Sequence, residues 1–360
     1  MEVAVTGATG NLGTSVVTAL TRDDGVHVTG IARRRPSWSP PGTSFVAADI
    51  RSPGLSTHLR GADALVHLAW AFQPTHDPVT TWDVNVRGGI ATFEAAAAAG
   101  VRTLVYVSSV GAYSSGAGQR VSEDWPTHSL PTAAYGREKS YLERFLDGFE
   151  LRHPEMRVVR LRPCFVFQRA AASSQGRIFA GPWVPRSLLR PGRLRVLAVP
   201  AGLRFQAVHA DDVGAAVRLA VHGPANGAYN VATDDVIDAA ALGEIFQARV
   251  VSVPGSVAKT AVGAGWRLHL VPADDQLVAL LLSLPTLDSG RVRRELGWQP
   301  VHSGRAALTE MLTALADGAG GPTPPLHPGR FRTGRPLPAE LSRRGAGRAG
   351  PSPASSWGRY

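Results

Sequence analysis

The chain has 360 residues, 44% of them hydrophobic, enough for one α/β domain with a small appended lobe. Its one cysteine, Cys164, excludes an intramolecular disulfide and fits a reducing compartment; no apolar run approaches the ~18 residues that span a bilayer, and a strand starting at Glu2 leaves no room for a signal peptide, so the expected location is the cytoplasm. Half of the net charge of +10 lies beyond Ala316, where seven arginines face only Asp317 and Glu340, and the rest of the chain has no basic stripe interleaved with aromatics, which argues against a specific nucleic-acid reader.

In chain order, residues 2–6 form a β-branched run followed at once by Gly7-Ala8-Thr9-Gly10-Asn11-Leu12-Gly13 and an apolar-periodic helix over 11–21. Strand, glycine turn and helix in that order let the backbone approach a pyrophosphate and aim free N–H groups at it. The spacing is GxxGxxG rather than GxGxxG, and a purely structural turn is the competing reading. A second strand, 26–31, runs into Ala32-Arg33-Arg34-Arg35. An acid at that place would suit the ribose 2′-hydroxyl of NAD, whereas arginine suits the 2′-phosphate of NADP. Arg33, assisted by Arg34, is therefore the candidate for that phosphate, and NADP(H) is preferred with NAD(H) as the alternative. The bland reading is a surface loop in an arginine-rich chain.

Further strands are expected at 44–47, 64–69, 102–108 and 157–162, and helices near 78–99 and 133–151. Asp77-Pro78 starts the first of these helices and His153-Pro154 stops the second. Alternation of this kind implies a parallel, doubly wound sheet with ligands at its carboxyl edge. After Pro163 the pattern loosens. Beyond about 316 to 322 the Gly-, Pro- and Arg-rich composition predicts a disordered tail.

The chain holds only two lysines, Lys139 and Lys259, and one of them stands four residues after Tyr135. Positions i and i+4 share a helix face, so an ammonium there is expected to favour the phenolate and lower the tyrosine pKa. A tyrosine tuned that way is a usable general acid and base. Twenty-six residues before it, the strand ending Val107-Ser108-Ser109 supplies hydroxyls. YxxxK also occurs on ordinary solvated helix faces. His67, His209 and His222 have no metal-ligand spacing, and no metal is assigned.

Taken together, Thr6 to Gly13, Asp49-Ile50, His67-Leu68-Ala69, Asn85 to Gly88, Val107 to Ser109, Tyr135 to Lys139, Arg160 to Pro163, Val208 to Val213 and Glu295 to Trp298 are collinear over residues 1 to about 300. In this order they resemble the extended short-chain dehydrogenase/reductase family, the branch often called NAD-dependent epimerase/dehydratase. The resemblance implies a Rossmann-type sheet over 1–165, a smaller substrate-binding lobe with interleaved sheet elements over 166–315, and a tail over 316–360. It implies catalysis by Tyr135 as acid/base, with Lys139 stabilising the phenolate and Ser109 donating to the carbonyl oxygen; Ser108 is the alternative to Ser109. For the cofactor it implies Gly7, Thr9, Gly10, Asn11, Leu12 and Gly13 at the pyrophosphate and Asp49 and Ile50 at the adenine. Leu68, Ala69, Trp70, Asn85, Ser108 and Pro163 would line the pyrophosphate and nicotinamide side, with Tyr135 and Lys139 beside them.

Two departures bear on the substrate. Val110-Gly111-Ala112 lacks the acidic pair of the family's dehydratases, and Gln168-Arg169 stands where many nucleotide-sugar enzymes continue with Gly-Pro. Trp70, Phe72, Trp82, Phe165, Phe167, Phe179 and Trp183 suggest instead an apolar or aromatic carbonyl substrate, although core packing accounts for at least half of them. The leading expectation is an oxidoreductase acting on a small carbonyl or alcohol, with a homodimer as one assembly. The alternatives are a sugar-nucleotide epimerase with tightly bound NAD and a non-catalytic dinucleotide-binding regulator.

Overall fold

The computed structural model describes residues 1–71, 78–179, 185–268, 270–271 and 274–328. Seven parallel strands form its main sheet, in the spatial order Gly227–Val231, Arg157–Pro163, Thr103–Val107, Ala64–His67, Glu2–Thr6, His27–Ala32, Thr43–Ala47. The central strands Ala64–His67 and Thr103–Val107 are buried throughout, as they must be when helices cover both faces. The strand order reverses between Glu2–Thr6 and Ala64–His67. At such a switch point the carboxyl ends of the strands open a crevice where ligands bind.

The six strands expected from the sequence are present, with ends shifted by at most two residues. The seventh, Gly227–Val231, was not expected: it returns from the second half of the chain to the edge beside Arg157–Pro163, and Gly-Ala-Tyr-Asn-Val has no β-branched run to announce it. The helix expected at 78–99 is interrupted. Pro78–Trp82 passes through a π turn, Asp83–Arg87, before the α-helix resumes over Gly88–Ala98. Such a turn changes the helical phase, and within it Asn85 is completely buried. Asp77 lies outside the described residues.

The second half builds a smaller layer around Phe165–Phe167, Arg204–His209 and Val236–Asp238, covered by helix Gly304–Asp317. Helix Ala210–His222 packs on the first helix, Asn11–Leu20, and Asp211 accepts a 2.6 Å bond from Ser15. Neighbouring Asp212 is buried and accepts the backbone N–H groups of Val301 and His302 at 2.8 and 3.0 Å. It therefore ties the approach to the last helix rather than capping its own.

The expected end of order near 316 to 322 needs correcting. Helix Gly304–Asp317 crosses that boundary and closes on Gly318 at φ +68°, and the chain then stays packed to Pro328. Thr323 and Leu326 are buried, with 0% and 1% of their surface exposed. One buried apolar side chain and a turn closed by Leu326 N–H on the Thr323 carbonyl (2.9 Å) hold this segment, details that average composition hides. Residues from 329 onwards lie outside the described residues. Among the described residues, no helix is long and apolar enough to cross a membrane.

Candidate active site

The glycine turn sits at the carboxyl end of Glu2–Thr6. Gly7 has φ +71°, and a Cβ on it would lie 2.7 Å from the backbone nitrogen of Ala69. A Cβ on Gly13 would lie 2.2 Å from the Gly7 carbonyl oxygen. Both positions therefore exclude a side chain, and the turn lies flat against the Leu68-Ala69 backbone. The first helix begins with Gly10 as an N-cap that offers no side-chain bond, and with no acid in its first turn. Its leading N–H groups and the positive end of its dipole are left for an anion, so the residues present fit a pyrophosphate.

Two residues that the sequence did not assign to this turn reach it from far along the chain. Gln168 Nε2 donates to the Asn11 carbonyl and, at 3.1 Å, to Asn11 Oδ1, while Asn11 Nδ2 donates to the Val166 carbonyl at 3.2 Å. Thr323 Oγ1 donates to the Thr9 carbonyl at 2.7 Å. No local pattern could have announced contacts at these separations.

At the end of His27–Ala32, Ala32 is buried and Arg33, Arg34 and Arg35 are exposed. Asp49 is gripped by Arg51 through Nε to Oδ1 (3.0 Å) and Nη2 to Oδ2 (2.8 Å). The Arg51 hydrogen bond holds its carboxyl below the usual range against burial, with the Arg33 charge adding to the effect. Ile50 is a core residue, packed with Leu55 and Val86. The pair expected at the adenine is thus an ion-paired acid and a buried side chain.

Tyr135 stands at the start of helix Ala134–Arg152, half-buried, and the Ser109 side chain hydrogen-bonds its hydroxyl. Ser109 also caps the short turn Val110–Ala112, accepting the Gly111 N–H at 3.0 Å. Ser108, by contrast, is buried on the side of Tyr106 and Glu143. The expected lowering of the tyrosine pKa is overturned. Burial of the hydroxyl pushes it up to about 12, and the Ser109 bond only partly offsets this.

The reason lies in where Lys139 points. Its Nζ donates to the Val107 carbonyl at 2.9 Å and lies 3.6 Å from the centre of the Trp70 ring. Burial lowers its pKa to about 7, against the charges of Glu143 and Glu138. Trp70 in turn meets Tyr135 edge-on, with ring centres 5.9 Å apart. The indole thus bridges the two residues.

Asn85 does not line the crevice. Its Oδ1 accepts the Ala71 N–H at 2.7 Å and its Nδ2 donates to Glu138 Oε2 at 2.7 Å, so its amide fixes the loop that carries Trp70. Glu138, which the sequence reading passed over, is buried and also accepts from Thr81 Oγ1 at 2.7 Å. His67 shares a 2.9 Å bond between Nδ1 and Thr6 Oγ1, and burial lowers its pKa to about 3, so the ring is neutral. Among the described residues, its Nε2 and the Trp70 Nε1 are buried without a hydrogen-bond partner. Pro163 ends its strand, buried opposite Val231.

Of the seven aromatics expected at the substrate, four have described side chains, and among these Trp70 is the one placed against Tyr135. Phe167 is buried in the second-half core, Phe165 packs on Phe167 and Phe205, and Trp82 packs on Tyr141. Phe72 and Trp183 lie outside the described residues, as does the Phe179 side chain.

An uncharacterized protein of Mycobacterium tuberculosis is 27% identical over 326 residues, covering 88% of this chain but only 30% of that relative's own length. A protein named UDP-glucose 4-epimerase, from Neisseria meningitidis, is 27% identical over 56% of this chain and 65% of its own. Among solved structures, a short-chain dehydrogenase/reductase superfamily protein from Agrobacterium tumefaciens with bound NAD superposes with a TM-score of 0.66 at 24% identity, covering 88% of this chain and 96% of that one; at that identity the likeness establishes the fold. The NAD dependent epimerase/dehydratase family matches residues 3–232, and the chain belongs to that family.

Proposed function

We propose that this protein is an NAD(P)-dependent oxidoreductase that interconverts a carbonyl and an alcohol at Tyr135. The observation that carries this reading is the Ser109–Tyr135 hydroxyl pair, which stands on the same strand-end edge as the glycine turn. In the reducing direction Tyr135 gives its proton to the substrate oxygen, and Ser109 donates to that oxygen while negative charge develops on it. A nicotinamide held beside Tyr135 would supply or receive the hydride. Lys139, on the same helix face, would leave Val107 and Trp70 for the ribose hydroxyls and the phenolate. Gly7, Gly10, Gly13 and the N–H groups of Asn11 and Leu12 would hold the pyrophosphate, beside Thr9, Leu68 and Ala69.

NADP(H) is the preferred cofactor in this reading, because Arg33 and Arg34 are exposed where a 2′-phosphate would lie and Asp49 is already paired with Arg51. The Trp70 ring against Tyr135 supports an apolar or aromatic carbonyl substrate. Titrating both cofactors should give at least a tenfold preference for NADPH, about 1.4 kcal/mol, that Arg33→Ala abolishes. Equal affinities in the wild type would remove the NADP assignment. The relative named UDP-glucose 4-epimerase favours a second reading, sugar-nucleotide epimerisation with retained NAD. Steady-state NADPH oxidation with aromatic ketones supports the reductase. A dinucleotide that stays bound through purification, with sugar-nucleotide interconversion and no net NADPH consumption, supports the epimerase.

A further inference from the structure

We propose that Thr323 and Gln168 are positioning residues of the dinucleotide site, setting from 314 and 157 positions away the peptide planes that form the glycine turn. The inference rests on the dinucleotide reading above and concerns how the turn is held in shape.

A peptide group is planar and trans, so fixing its carbonyl fixes the direction of its N–H. The Thr9–Gly10 peptide is held at both ends: its N–H donates to the Gly7 carbonyl at 3.0 Å, and its carbonyl accepts Thr323 Oγ1 at 2.7 Å. The Asn11–Leu12 peptide is the second one further on, after Gly10–Asn11, whose carbonyl accepts the Thr14 N–H at 3.2 Å. The Asn11 carbonyl accepts Gln168 Nε2, so the Leu12 N–H is turned to the opposite side, among the uncapped donors of the helix end. The Asn11 side chain is fixed by the same strand end, through Val166 and Gln168.

Both donors are built in rather than incidental. Thr323 has no exposed surface and Gln168 has 8%. The strap over Gly318–Pro328 that carries Thr323 is itself anchored, by Ser173 Oγ donating to the Ala319 carbonyl at 2.6 Å, by the Gly321 N–H on the Leu326 carbonyl at 2.9 Å, and by buried Leu326. The Asn11 carbonyl also accepts Thr14 Oγ1 at 3.3 Å, so the larger loss falls on the Thr9 carbonyl: a carbonyl that loses its donor is left unsatisfied, and a glycine turn has little else to resist the rotation that would let it reach water.

The full-length chain provides the test, with NADPH and NADH as probes. Thr323→Val keeps the shape and removes the hydroxyl; Thr323→Ser keeps the hydroxyl. The valine variant should bind the better of the two dinucleotides about tenfold more weakly, and the serine variant should recover most of the loss. Hydrogen exchange in the peptide spanning Gly7 to Leu12 should quicken in the valine variant without any ligand. Gln168→Leu should weaken binding in the same sense. Unchanged affinity and exchange in the valine variant would overturn the proposal while leaving the cofactor reading intact. Serine and valine variants weakened alike would overturn it too, because packing rather than the hydroxyl would then be at work. A wild type that binds neither dinucleotide would remove the cofactor reading, and the proposal with it.

Discussion

The helix Ala134–Arg152 carries buried charge at two places, and the two are treated differently. Midway along it, Glu143 is fully enclosed and answered. Arg162 Nε and Nη2 each reach a carboxylate oxygen at 3.0 Å, Arg160 Nη1 adds a contact at 3.4 Å, and Arg162 also donates to the Tyr113 hydroxyl at 2.9 Å. At the start of the helix, the Lys139 ammonium has three donors but, among the described residues, meets the Val107 carbonyl, the Trp70 indole face and, at 5.1 Å, the Tyr106 ring, while Trp70 Nε1 and His67 Nε2 have no hydrogen-bond partner there. Native interiors seldom leave polar groups unanswered. Saturation at Glu143 marks a cluster that serves the fold, and the deficit around Lys139 marks a place shaped for something else.

The largest break in that contrast should come from Arg162→Ala, which leaves Glu143 enclosed with its main partner gone. Urea unfolding should show a loss of roughly 3–5 kcal/mol. Replacing Glu143 and Arg162 together by methionine should recover much of it, and a single variant as stable as wild type would contradict the assignment of the cluster to the fold. At the other end, Tyr135→Phe should leave stability and dinucleotide affinity nearly unchanged while kcat falls by about 10²- to 10⁴-fold. Lys139→Arg should also fail, because a planar fork cannot take the place of a compact ammonium. Turnover near normal in either variant would take the chemistry away from this helix.

A gentler probe is acid. Burial alone would raise the Glu143 pKa, but the Arg162 charge and hydrogen bond, with Arg160 behind them, hold it at about 2, below its usual 4.5. The unfolded chain therefore takes up this proton first as the pH falls. The stability the cluster contributes is complete above about 4.5 and drains away towards about 2, with a slope of at most ~1.4 kcal/mol per pH unit. Glu143→Gln should flatten that part of the profile. An unchanged acid limb would mean that other carboxyls govern it.

Much of the architecture was legible because its signals are local. Six strands, the glycine turn and the tyrosine helix each declare themselves within a few residues, through β-branched runs, glycine spacing and a Pro stop. The site was legible to the depth that spacing reaches. Residue spacing puts Tyr135 and Lys139 on one helix face, but it does not say that the ammonium turns to the Val107 carbonyl, 32 residues away, so the inferred pKa shift had the wrong sign. Asn85 was expected in the crevice; a π turn, which no residue in Asp83–Arg87 announces, put it inside against Glu138. Thr323 and Leu326 were lost in the average of a glycine- and proline-rich stretch. One buried side chain outweighs such an average once it finds a partner.

The bond between Thr323 and Thr9 spans 314 positions in sequence. Because a chain emerges from the ribosome in order, the bracing of residues 7–13 begins with Gln168 and is completed only when Thr323 has followed. Local strand and helix formation can precede that event, but the final shape of the turn must await the strap over Gly318–Pro328, a contact of high order and correspondingly slow closure. A nascent or prematurely ended chain would carry the glycine motif in full and still lack its finished form.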